Sequence, residues 1–103
     1  MRLEKTMNEH IIRYSIWHNK EPIFYEMIEW TGANISEVCN FLKLKPADCI
    51  REGKLVLFSI QKLNEVEVPI GYYVRRWDNG AFLICNLANI GIYEKRLIDE
   101  RLM

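Results

Sequence analysis

Apolar and polar residues alternate along this 103-residue chain with a period that changes several times, and each change marks an element. Residues 10–17, HIIRYSIW, are rich in β-branched and aromatic types and predict a strand. His18-Asn19-Lys20-Glu21-Pro22 carries turn chemistry. A second strand is expected over residues 23–30, IFYEMIEW. Its alternation sends Phe24, Glu26, Ile28 and Trp30 one way and Ile23, Tyr25, Met27 and Glu29 the other. Both faces are partly apolar, which places this strand inside a sheet rather than at its edge.

Thr31-Gly32 closes that strand, and the period then lengthens. Ile35, Val38, Phe41 and Leu42 form one helical stripe, with Asn34 and Glu37 spaced as a capping box and Pro46 limiting the helix. Residues 46–51, PADCIR, predict a further short turn, broken by Glu52-Gly53. LVLFSI (residues 55–60) is the next strand, KLNE a hairpin turn, and VEVPIGYYVRRW one longer strand. Asn79-Gly80 suits a two-residue type I′ turn leading into AFLIC, since both central positions of that turn need positive φ. Such a turn would set Trp77 opposite Phe82, Arg76 opposite Leu83, Arg75 opposite Ile84 and Val74 opposite Cys85. Residues 93–103, YEKRLIDERLM, predict an amphipathic C-terminal helix, and the polar first nine residues a frayed end or short helix.

Segregated strands with one internal helix predict an α+β domain: a small, mostly antiparallel sheet, one helix packed on a face, and a short helix at the C-terminal end. The length fits a single domain over residues 1–103, with no linker or repeat. Fourteen basic and fourteen acidic side chains balance, so the even charge argues against a general phosphate-binding protein. Cys39, Cys49 and Cys85 are odd in number and include no CxxC pair. They predict small buried side chains in a reducing compartment. With no long apolar run and no signal-like N-terminus, the expected location is the cytoplasm, without membrane contact.

The segment KEPIFYEMIEWTGANISEVCNFL and the hairpin that follows it resemble a family of small proteins from phages and prophages of Gram-positive bacteria. These open on a segment like KPVxIEAIQWTG, continue into a helix like NxEEVxxFL and carry a GDYIIxGxxGEFYPC-type hairpin. Lys20, Pro22, Glu26, Ile28, Trp30, Thr31 and Gly32 match the first block, and Glu37, Val38, Phe41 and Leu42 the helix. Gly71, Tyr73, Val74, Gly80, Phe82 and Cys85 match the hairpin. The resemblance spans residues 20–94 and leaves 95–103 as a tail; Tyr72 stands where the family carries an acidic residue. It implies a phage-borne accessory protein and carries over no catalytic residue.

Candidate chemistry is sparse. His10 and His18 lack metal-ligand spacing, and a Cys–His pair such as Cys39 or Cys85 with His18 would require proximity that no motif encodes. Glu26, Glu29, Asp48 and Glu52 form no recognisable acid–base pair, so neither an enzyme, a metal nor a cofactor is expected. The binding candidates are Tyr72, Tyr73, Arg75, Arg76 and Trp77, the residue types that recur at interface hot spots. Alternation sends Arg75 and Arg76 to opposite faces, which weakens a nucleic-acid clamp built on both. The expected role is binding a host protein or a small ligand, in a phage setting by interference with host defence or regulation. Nucleic acid is the alternative partner, and self-association into a homo-oligomer is a further expectation.

Overall fold

The computed structural model describes the backbone of residues 2–5, 10–18, 20–77 and 80–86, with side chains at 10–13, 20–77 and 80–86. The chain is a mixed α+β domain. Its strands are β1 (Arg2–Lys5), β2 (Ile11–His18), β3 (Glu21–Glu29), β4 (Ile50–Arg51), β5 (Lys54–Ser59), β6 (Asn64–Glu67), β7 (Tyr73–Arg76) and β8 (Phe82–Cys85). Two helices, α1 (Ile35–Leu42) and α2 (Pro46–Cys49), fall between β3 and β4. The sheet order is β1-β2-β3-β7-β8-β5-β4, with β6 on β5. Every pairing is antiparallel except the short parallel contact of β5 with β8, at Ser59 and Phe82. Residues 2–5, expected to belong to a frayed end or short helix, instead pair with β2. The expected C-terminal helix lies outside the described residues.

β3 lies between β2 and β7, as its two apolar faces require. Ile28 and Trp30 face a cluster that includes Val38, Cys39 and Leu42 of α1, together with Leu55, Leu57, Val74 and Phe82. Met27 faces the other way, into a cluster with Ile12, Trp77, Leu83 and Cys85. All three cysteines are buried, and none is in a disulfide. Burial on both faces is reached only at the end of β3 that β7 joins, at Met27 and Ile28, whereas Glu21–Phe24 are exposed.

The turn into α1 differs from the expected capping box. Asn34 does precede the helix, but its side chain makes no cap bond to the first turn. Its Oδ1 instead accepts from the Thr31 N–H and hydroxyl, both at 2.9 Å, while Nδ2 donates to the Glu29 carbonyl at 2.8 Å. Glu37 Oε1 accepts from Asn34 Nδ2 at 3.4 Å. Thr31 offers two donors behind the helix, and the short amide turns back to them. The result fastens the end of β3 rather than the start of α1. The helix stops at Lys43, which adopts the left-handed conformation (φ 59°) and donates to Asn40 and Cys39 carbonyls.

Two further expectations change in the second half. VEVPIGYYVRRW is not one strand: it breaks between Glu67 and Tyr73. Pro69 has no N–H to give a ladder, and Gly71 takes φ +92°, which a glycine tolerates freely. The break moves the chain from one neighbour to another. The Val68 N–H still donates to Leu55 beside β5, but the Gly71 N–H donates to the Trp30 carbonyl and the Trp30 N–H to Tyr72. Residues 50–51, expected as part of a turn, form β4. They are joined to β5 across Glu52 (φ 54°) and Gly53 (φ 77°), the paired positive values of a tight hairpin.

The β7–β8 register is the second correction. Arg76 lies opposite Phe82, Arg75 opposite Leu83, Val74 opposite Ile84 and Tyr73 opposite Cys85. The hairpin is closed by Trp77 N–H to the Ala81 carbonyl (2.7 Å) and Gly80 N–H to the Trp77 carbonyl (3.0 Å). Three positions therefore separate Trp77 from Ala81, not the four that would set Trp77 against Phe82. Gly80, at φ +87°, supplies the left-handed residue with which such loops end. A slip of one residue moves every partner to the other face. Trp77 and Phe82 accordingly sit in opposite clusters and form no cross-strand pair.

Candidate ligand-binding site

The five residues singled out on β7 and its approach divide by parity. Tyr73, Arg75 and Trp77 project to the face of Met27, Leu83 and Cys85; Tyr72 and Arg76 project to the face of α1. The opposite-face placement of the two arginines does not depend on register, because neighbours in a strand always alternate.

Arg75 is only 8% exposed. Its guanidinium lies between two rings, 3.7 Å from the centroid of Tyr25 and 4.3 Å from that of Trp77. Such stacking suits the flat, weakly hydrated guanidinium and lets the charge remain in a largely apolar setting. Trp77 is buried as well. Tyr73 is half-buried, and burial, assisted by the nearby Glu29 carboxylate, raises its phenol above the usual range. These three residues build the fold.

Arg76 is exposed along its length, but its Nη1 donates to the Leu42 carbonyl at 3.1 Å. That carbonyl belongs to the last turn of α1, where backbone acceptors lack helical partners and positive charge is favoured. Arg76→Ala is expected to lower stability by about 0.5–1.5 kcal/mol, read as a shift in the urea midpoint. An unchanged midpoint would show that water replaces the guanidinium without loss.

Of the five, Tyr72 lines a cleft. The cleft has a volume of about 470 Å³ and lies between the β5–β6 hairpin and the β7–β8 pair. Tyr72, Pro69, Val66 and Ile84 give it apolar walls, and Ser59, Gln61, Lys62 and Glu67 give it polar ones. Gln61 is held in place from both ends. Its Oε1 accepts from the Ser59 hydroxyl at 2.8 Å, and its Nε2 donates to the Ile84 carbonyl at 2.8 Å. The Ser59 Oγ also accepts from the Lys62 N–H at 3.3 Å. The short β5–β8 contact is thereby extended by a side chain, and the hairpin is tied to β8. Glu67 pairs with Lys54 at 3.6 Å on the exposed side of the hairpin.

None of these polar residues carried a motif in the sequence. Lys62 reads as part of the KLNE turn and Glu67 as part of the long strand, with Gln61 unassigned before the turn. They meet Tyr72 and Ile84 only because the chain changes neighbours at Pro69–Gly71. That proline–glycine break was the available signal. His10 meets Glu29, with Nδ1 3.4 Å from Oε1 and both side chains about a third exposed. Among the described residues, no group of three or more His, Cys, Asp or Glu side chains is placed to hold a metal ion, and no helix is long and apolar enough to cross a membrane.

Fold and cleft together define a small α+β domain with a surface cleft bridged by a side chain. No family model, curated protein or solved structure matches the chain.

Proposed function

We propose that the protein is a non-catalytic accessory protein that works by binding, and that its ligand is a small molecule held in the cleft beside Tyr72. The observation that carries this reading is the cleft itself. Its volume of about 470 Å³ falls within the range of roughly 300–1,000 Å³ typical of small-molecule sites. Apolar walls with a few polar groups, one of them fixed by two hydrogen bonds, are the usual make-up of such a site. Tyr72 supplies a ring for stacking and a hydroxyl for polarity. Lys62 and Glu67 place opposite charges at the rim, which favours a polar ligand carrying both donors and acceptors.

The resemblance to phage and prophage accessory proteins supplies the setting: a bacterial host whose defence or regulatory signals the protein would sequester. Nucleic acid is the weaker partner, because Arg75 and Trp77 are buried and Arg76 is engaged with α1. The test is native mass spectrometry of the full chain after incubation with a small-molecule extract of a Gram-positive bacterium. A discrete adduct is expected, at least tenfold weaker in a Tyr72→Ala, Lys62→Ala variant whose melting temperature is unchanged. Adducts retained equally by the variant, or none at all with the wild type, would remove the small-ligand reading.

A further inference from the structure

Cys39 lies within α1, and Cys49 is the last residue of α2. Their sulfurs are 3.5 Å apart, and both side chains are almost completely buried, at 3% and 1% exposure. The corner between the helices is closed by its own backbone. Leu44 N–H donates to the Cys39 carbonyl at 2.9 Å, Asp48 N–H to the Lys45 carbonyl at 2.9 Å, and the Cys49 thiol to the Lys45 carbonyl at 3.6 Å. A disulfide requires sulfurs at about 2.05 Å. Closure therefore needs an approach of roughly 1.5 Å, which side-chain rotation and a small slide of the one-turn α2 can share. Cys85 belongs to the cluster on the other face of the sheet, so it is no competitor within the chain.

We propose that Cys39 and Cys49 form a modification site, a dithiol that hydrogen peroxide oxidises to an intramolecular disulfide tying α1 to α2. In the first step one sulfur attacks a peroxide oxygen: an S–O bond forms, the O–O bond breaks, and the thiol proton leaves with the other oxygen as water. The second sulfur then attacks the sulfenic sulfur, forming S–S and breaking S–O, and its proton leaves with the hydroxyl as a second water. Two thiols are oxidised and one peroxide is reduced to two waters, so atoms and electrons balance.

The fold also sets when this happens. Burial pushes the Cys49 thiol up to about 12, and its hydrogen bond with Cys39 adds to the effect. The thiolate is the nucleophile, so Cys49 stays unreactive at neutral pH while the corner is closed. Reaction follows local opening of α2, a short element of the kind that opens before the core does. The bond then forms as the corner recloses, and it holds the start of β4 against the helix layer.

Peroxide treatment of the full chain, followed by thiol titration under denaturing conditions, tests this directly. Free thiols are expected to fall from three, Cys39, Cys49 and Cys85, to one. Tryptic peptides 21–43 and 44–51 are expected as a linked pair lighter by two hydrogens and separable by a reductant. The oxidised protein should melt higher by roughly 5–15 °C, since a short closed loop restricts the unfolded chain. Cys85→Ala should behave as wild type, and Cys49→Ala should give no linked pair. Three thiols surviving oxidation, oxygen adducts on single cysteines without a linked pair, or a link running through Cys85 would overturn the proposal. The wild-type peptide map decides the matter even if an alanine variant folds poorly.

Discussion

Trp30→Ala is expected to destabilise the protein by about 3–5 kcal/mol, seen as a large drop in the urea midpoint with an unchanged slope. Trp30 is 2% exposed and, among the described residues, the largest side chain taken fully from solvent. It packs in the cluster that joins α1 to the sheet, beside Val38, Leu42 and Val74. Deleting the indole leaves a cavity in this cluster, and that cavity adds to the lost transfer energy. The backbone at Trp30 also holds the chain beyond the proline–glycine break, through its bonds to Tyr72 and Gly71. A domain of this size has roughly 5–15 kcal/mol of stability in all, so the variant would lose a large part of it. A loss below about 1 kcal/mol would show that the ring is not packed as described.

The second large effect is expected at Arg75. Arg75→Ala should cost about 2–4 kcal/mol, because it removes a stacked guanidinium and the aliphatic stem between two rings and leaves Tyr25 and Trp77 facing a gap. Arg75→Lys should recover only part of that loss, since an ammonium cannot lie flat against either ring. Tryptophan fluorescence during denaturant unfolding provides the readout for both variants. If Arg75 instead served an outside partner, both substitutions would leave stability within about 0.5 kcal/mol of wild type. This contrast turns the most conspicuous basic and aromatic stretch of the sequence into a question about folding.

Much of the architecture was legible in the residues. The β-branched run at 10–17, the two-faced pattern of 23–30 and the helical stripe from Ile35 to Leu42 each follow from a local period. The elements form there as Ile11–His18, Glu21–Glu29 and Ile35–Leu42, the two strands running on into the residues read as a turn between them. What failed to read was set by contacts beyond the local window. Asn79-Gly80 fits a two-residue turn or the end of a three-residue loop, and only the clusters on the two faces decide between them. The longer loop puts Leu83 and Cys85 with Met27 and Trp77, and Val74 and Phe82 with Trp30. Asn34 likewise had two sets of partners within reach, and Thr31 won. β4 was missed because two residues carry no period; its turn, Glu52-Gly53, was visible only as a break.

The candidate site was less legible than the fold. Alternation alone separated Arg75 from Arg76, and that separation holds. The cleft, however, combines Tyr72 with residues of a hairpin that the sequence joined to it as one strand. Cys39 and Cys49 read as isolated apolar positions for a similar reason: their meeting depends on Lys43 reversing the chain, and a lysine in the left-handed region announces nothing in a sequence.

The order of strands in the sheet has a consequence for the speed of folding. β2 with β3, β4 with β5, β5 with β6 and β7 with β8 are all hairpins between near neighbours, which can form early and independently. The joins of β3 to β7 and of β8 to β5 link distant parts of the chain, through two residue pairs and one respectively. Closing those long loops carries the entropy before many contacts offset it, so the barrier should lie at these two seams. The residues that stitch them, Trp30 with Gly71 and Tyr72, and Gln61 with Ile84, would then govern how fast the protein reaches its native state as much as how firmly it stays there.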